Sequence, residues 1–113
     1  MRIRNLIGLF IVLLSINSAF AQEKKFKVQT VAFYNVENLF DTINNVDVND
    51  EEYTPTGTQR WTIEKYKKKL SNLSRTIAEI GTGDQQKESP VIVGVAEVEN
   101  RGVLEDLIKQ PLL

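Results

Sequence analysis

The sequence predicts an α/β chain organised as a βαβ unit with two parallel strands. Three observations carry that expectation: an apolar, β-branched and aromatic run at residues 27–34 (KVQTVAFY), a long amphipathic helix signal in the middle, and a second apolar run at residues 91–96 (VIVGVA). Strands that alternate with a helix of this length are the pattern of a parallel sheet.

The first run suits a pleated surface and ends where the asparagines begin. Residues 41–60 (DTINNVDVNDEEYTPTGTQR) have no periodicity and are dense in Asp, Asn, Thr and Gly, so they read as a long loop, functional or mobile. In the next segment Ile63, Tyr66, Leu70, Leu73, Ile77 and Ile80 recur at alternating spacings of three and four, which places them on one helix face. Thr62 is positioned to cap its start, and Gly81 to take the left-handed conformation after its end. Lys65, Lys67, Lys68, Lys69 and Arg75 fall on the remaining surface and read as a solvated face rather than a nucleic-acid groove. A polar linker, 82–89, leads through Pro90 into the second run, whose unbroken apolar character is that of a strand covered on both faces. After Asn100, Val103, Leu104, Leu107 and Ile108 mark a short amphipathic helix bounded by Pro111.

The ends and the composition bound the chemistry. Arg2 and Arg4 precede an uncharged apolar block at 6–14, followed by Ala19-Phe20-Ala21; this is the pattern of a secretory signal, with cleavage expected after Ala21. The block is too short for a permanent membrane anchor, which needs about 20 apolar residues. Export to the periplasm or the exterior is therefore expected, with the domain beginning at residue 22. Removing Arg2 and Arg4 from the 14 basic residues leaves 12 against 15 acidic ones, a net charge of −3 that gives no argument for a polyanionic partner. There is no cysteine and no histidine. Disulfides, thiolate metal sites and Ser-His or Cys-His pairs are excluded, and any metal must be held by oxygen, which favours magnesium, calcium or manganese over zinc.

Parallel strands joined by a helix bring their C-terminal ends to one edge of the sheet, where ligands of open α/β folds bind. Asn35 closes the first strand and Glu97 the second. Side-chain alternation puts Glu37 beside Asn35 and Glu99 beside Glu97 for as long as the extended conformation lasts, so up to three carboxylates and one amide could share a small volume. Carboxylates that close together favour a cation between them, and magnesium is commonly held by one or two carboxylates plus water and phosphate oxygens. On spacing alone, however, polar residues at strand ends more often just mark where burial stops, and spacing does not by itself make this a metal site.

The residues at these two ends resemble a known family. YNVENLFD after the first strand and PVIVGVAEVENRGVLEDL around the second are similar to the first two motifs of the endonuclease/exonuclease/phosphatase superfamily, and EEYTPTGTQRWTIEKYKKKLSNL between them resembles its exported bacterial branch. The resemblance covers nearly all of the chain after the signal. It implies a four-layer αββα sandwich, of which this chain would supply the N-terminal part, and hydrolysis of a phosphate ester, in nucleic acid, lipid or a small phosphorylated molecule, by activated water with Mg2+ or Mn2+. Carried over by position, Glu97 matches the family's principal metal-ligating glutamate. Asn35 matches the asparagine that orients phosphate and catalytic groups, and Glu37 falls where some members place an acidic residue near a second metal. Glu99, Asn38 and Asn100 receive no role from it. The family's later Asp-x-Asn motif and terminal Asp-His pair have no counterpart in the 113 residues, so the polypeptide as given is expected to bind metal weakly, to be inactive and to be poorly stable alone.

Two further readings stand beside the enzyme. One is an exported, non-catalytic binding module that keeps the same fold. The other is calcium binding by the acidic loop from Asp41 to Glu52, which lacks the spacing and the glycine of an EF-hand. Asn72-Leu73-Ser74 matches a glycosylation acceptor but lies inside the expected helix.

Overall fold

A computed structural model describes residues 24–113. The expected secretory signal, residues 1–21, lies outside the described residues. The order of elements is β1 (Val31–Leu39), a 3-10 turn (Glu51–Tyr53), α1 (Ile63–Glu79), β2 (Ile92–Val98) and α2 (Arg101–Ile108). The chain is α/β, and its two strands pair in parallel with Val31 opposite Ile92 through Asn35 opposite Ala96.

The helix forms as its periodicity requires. Thr62 accepts the Lys65 N–H, Gly81 adopts φ 73°, and Tyr66, Leu70, Leu73 and Ile77 are buried. Ile63, at the margin of the stripe, stays 45% exposed. These four residues pack with Val36 and Leu39 of β1 and with Val103 and Leu107 of α2, flanked by Tyr34, Val93 and Val95, so one sheet face and both helices share a single core. The Tyr66 hydroxyl donates to Asp106 of α2 at 3.0 Å, and burial first, then that carboxylate, pushes its pKa well above the ordinary value for a tyrosine.

Two expectations need correction. β1 begins later and runs further than residues 27–34: Asn35 does not end it, because a register shift between Asn35 and Leu39 lets pairing resume at Leu39 opposite Val98. The second apolar run is not covered on both sides among the described residues. Both helices lie on the Tyr34–Val95 face, leaving Val31, Phe33 and Ile92 on the other face exposed. The loop lies where expected, between β1 and α1, and is held by contacts within it and with the residues at its two ends. Phe40 stacks on Tyr53 at 4.2 Å, Trp61 meets Tyr53 edge-on, and the Trp61 indole N–H donates to the Phe40 carbonyl at 2.9 Å. Gly57 is required there, since a Cβ would stand 2.1 Å from the Glu51 carbonyl oxygen. Asp50, 2% exposed, accepts from the backbone and side chain of Asn45. Among the described residues no helix is long and apolar enough to cross a membrane.

Candidate active site

Parallel pairing fixes where the polar strand ends go. Asn35 lies opposite Ala96, so Glu97 emerges one residue beyond it at the same edge. The Asn35 Nδ2 donates to Glu97 Oε1 at 2.8 Å, and the Asn38 N–H donates to Glu97 Oε2 at 3.2 Å. Both oxygens of an exposed carboxylate are thereby oriented. Each bond occupies one of roughly four acceptor positions on a carboxylate, so the outward pair stays available to a further ligand.

The backbone departs from a regular strand to make this possible. Glu37, Asn38 and Glu97 have φ of 53°, 54° and 60°, in the left-handed region where a non-glycine residue is disfavoured by roughly 1–2 kcal/mol. Such strain, gathered at one edge and retained by hydrogen bonds, is characteristic of functional sites. It also corrects the expectation for Glu37. A left-handed residue breaks side-chain alternation, so Glu37 does not follow Asn35 onto the same side by strand geometry. Its backbone N–H donates to Asn35 Oδ1 at 2.7 Å instead, which fixes the asparagine amide.

Glu99 is likewise not gathered with Glu97. Its carboxylate accepts from the Asp41 N–H at 2.9 Å and from Asn45 Nδ2 at 2.7 Å, and its backbone N–H donates to the Leu39 carbonyl, so it ties the long loop to the second strand. Asn100 caps α2 through the Val103 N–H and donates to Asp41. Among the described residues no group of three or more acidic or histidine side chains is placed to hold a metal.

The residue that sequence reasoning missed is Lys69. It belongs to the row of helix cations read as solvated, yet it is half-buried and donates to the carbonyls of Glu37 and Asn38, the latter at 3.3 Å, with its ammonium 5.6 Å from the centre of the Trp61 ring. Burial holds its pKa below the ordinary lysine value, while the Glu37 and Glu97 carboxylates pull it back up. The signal was angular. At ~100° per residue Lys69 lies about 70° from the centre of the apolar stripe, at its margin, whereas Lys68 is on the far side.

A family model for the Endonuclease/Exonuclease/phosphatase family matches residues 30–113, which takes in both strand ends and the helix between them. The chain belongs to this family. No curated protein and no solved structure gives a match. Enzymes of the endonuclease/exonuclease/phosphatase family are in general hydrolases of phosphate esters that depend on a divalent metal.

The donor set here suits a hard divalent cation. Oxygen is the only ligand type at this edge, one carboxylate is oriented with two acceptor positions to spare, and magnesium is often held by one or two carboxylates, with water and phosphate completing its shell. Glu97 would hold it, with Asn35 alongside. When bound, the cation supplies Lewis-acid stabilisation of charge on phosphoryl oxygens and lowers the pKa of water. The residues themselves do three things. Asn35 and the Asn38 N–H fix the carboxylate plane, the Glu37 N–H fixes the Asn35 amide, and Lys69 donates to the Glu37 and Asn38 carbonyls.

Proposed function

We propose that this chain carries the cation-holding edge of an exported, Mg2+- or Mn2+-dependent phosphoesterase, in which Glu97 is the principal metal ligand and Asn35 orients both that carboxylate and the substrate phosphate. Glu37, whose backbone is held between Asn35 and Lys69, is the less strongly supported assignment, near a second metal position. The observation that carries the reading is the Asn35–Glu97 hydrogen bond at 2.8 Å between residues of the two parallel strands 62 positions apart, beside the left-handed residues Glu37, Asn38 and Glu97. A pair that merely marked the limit of burial would not need that strain. The substrate is a phosphate ester, in nucleic acid, lipid or a small molecule.

The test is hydrolysis of bis(p-nitrophenyl) phosphate by the product of the complete reading frame. Activity is expected with magnesium or manganese, to vanish on chelation and to return when either ion is restored. Hydrolysis that persists in excess chelator would remove the metal from the proposal, and an absence of hydrolysis on any phosphate ester would favour the binding module.

A further inference from the structure

We infer that Lys69 is a positioning residue for the Asn35–Glu97 edge, clamping the left-handed Glu37–Asn38 segment so that the Asn38 N–H stays aimed at the Glu97 carboxylate. Nothing in the amphipathic pattern demands a lysine there. Lys67 and Lys68 on the same helix are exposed, and Lys65 donates only to the Gln59 carbonyl at the helix start. Lys69 alone reaches across to β1, and it meets the two consecutive residues whose φ is positive.

The chemistry fits the geometry. Two left-handed residues in succession turn their carbonyls away from the ladder partners a regular strand would give them, and although both residues are exposed it is the half-buried Lys69 ammonium that their carbonyls meet. An ammonium has three N–H groups and can serve both oxygens at once. The Trp61 ring covers another side of the cation, and is itself fixed by its bond to the Phe40 carbonyl, so the helix, the long loop and the strand end converge on one charge. The effect on Glu97 is indirect. Holding the Glu37 and Asn38 carbonyls sets the peptide planes on either side of Asn38, and the Asn38 N–H in turn sets Glu97 Oε2. With Oε1 held by Asn35, the outward acceptor positions of the carboxylate point in a fixed direction, which is what a supporting residue contributes to a metal ligand.

The functional half of this inference rests on the proposed cation site, and the structural half does not. The test therefore reads both in the full-length protein, with Lys69→Met and Lys69→Arg. Lys69→Met is expected to speed hydrogen exchange at the Asn38 amide and to weaken binding of Mn2+ alone, by isothermal titration, each about ten-fold or more, while amides within α1 keep their protection. It should lower kcat for bis(p-nitrophenyl) phosphate with little change in KM. Lys69→Arg, which keeps the charge and offers a fork of donors, should restore Asn38 protection and Mn2+ binding to within about three-fold. Wild-type values for Lys69→Met would overturn the inference, as would faster exchange across the whole chain or a failure of Lys69→Arg to restore. If the wild-type protein takes up no Mn2+, the cation reading fails, and Asn38 exchange alone decides the role of Lys69.

Discussion

Replacing Glu97 with alanine is expected to lower phosphate-ester hydrolysis by about 10³-fold, close to 4 kcal/mol of transition-state stabilisation, with the fold retained. The loss is expected to be large because the side chain proposed as the metal ligand is also the shared acceptor for Asn35 Nδ2 and the Asn38 N–H. The cost to stability is small because the residue is exposed, and water can satisfy the two donors. Backbone strain makes the prediction more discriminating. Glu97 sits at φ 60°, so Glu97→Gly should be more stable than Glu97→Ala by roughly 1 kcal/mol while equally inactive. Steady-state kinetics and urea denaturation on the three proteins check both parts. An active Glu97→Ala protein would sink the assignment, and a glycine variant less stable than the alanine one would remove the argument from strain.

Leu39→Ala is expected to cost about 2–5 kcal/mol, the largest effect of any single core truncation at this edge. Leu39 is fully buried, pairs with Val98 immediately after the register shift, and passes its carbonyl to the Glu99 N–H, so it anchors the strained segment between Asn35 and the loop. Against a usual total of about 5–15 kcal/mol for a whole domain, that loss is severe. Trp61, the sole tryptophan, packs against this core and supplies the fluorescence signal for a urea titration. Leu39→Met, which conserves most of the volume, should cost less than about 1.5 kcal/mol. Equal costs for the two variants would show that Leu39 is not packed as described.

Much of the frame was legible in the sequence because it follows from periodicity and end signals. The three-four spacing, the Thr62 cap and Gly81 all act locally, and the meeting of Asn35 with Glu97 at one edge follows from parallel pairing alone. Pairing brings the two residues to one edge, but the bond between them depends, like the rest of what was illegible, on local backbone and contacts that sequence spacing does not encode. No glycine announces the left-handed turn at Glu37 and Asn38; hydrogen bonds to Asn35, Glu97 and Lys69 hold it. The ordered loop depends on Phe40, Tyr53 and Trp61, aromatic residues too far apart in the chain to suggest a cluster. The tripeptide Val-Glu-Asn occurs twice, at residues 36–38 and 98–100, and shows the same limit. In the first copy Glu37 and Asn38 are the strained pair, whereas in the second Glu99 pins the loop and Asn100 caps α2, so three identical residues serve unrelated ends.

The most direct test of the central claim is paramagnetic broadening of backbone amide resonances by substoichiometric Mn2+, because it locates the cation without requiring turnover. Broadening should be strongest at the Asn35–Asn38 and Glu97–Val98 amides, fall off with distance from that edge so that it is weaker around Asp47 and Glu52, and disappear in Glu97→Ala. Broadening centred on the loop, or unchanged when Glu97 is removed, would place the cation elsewhere and contradict the account.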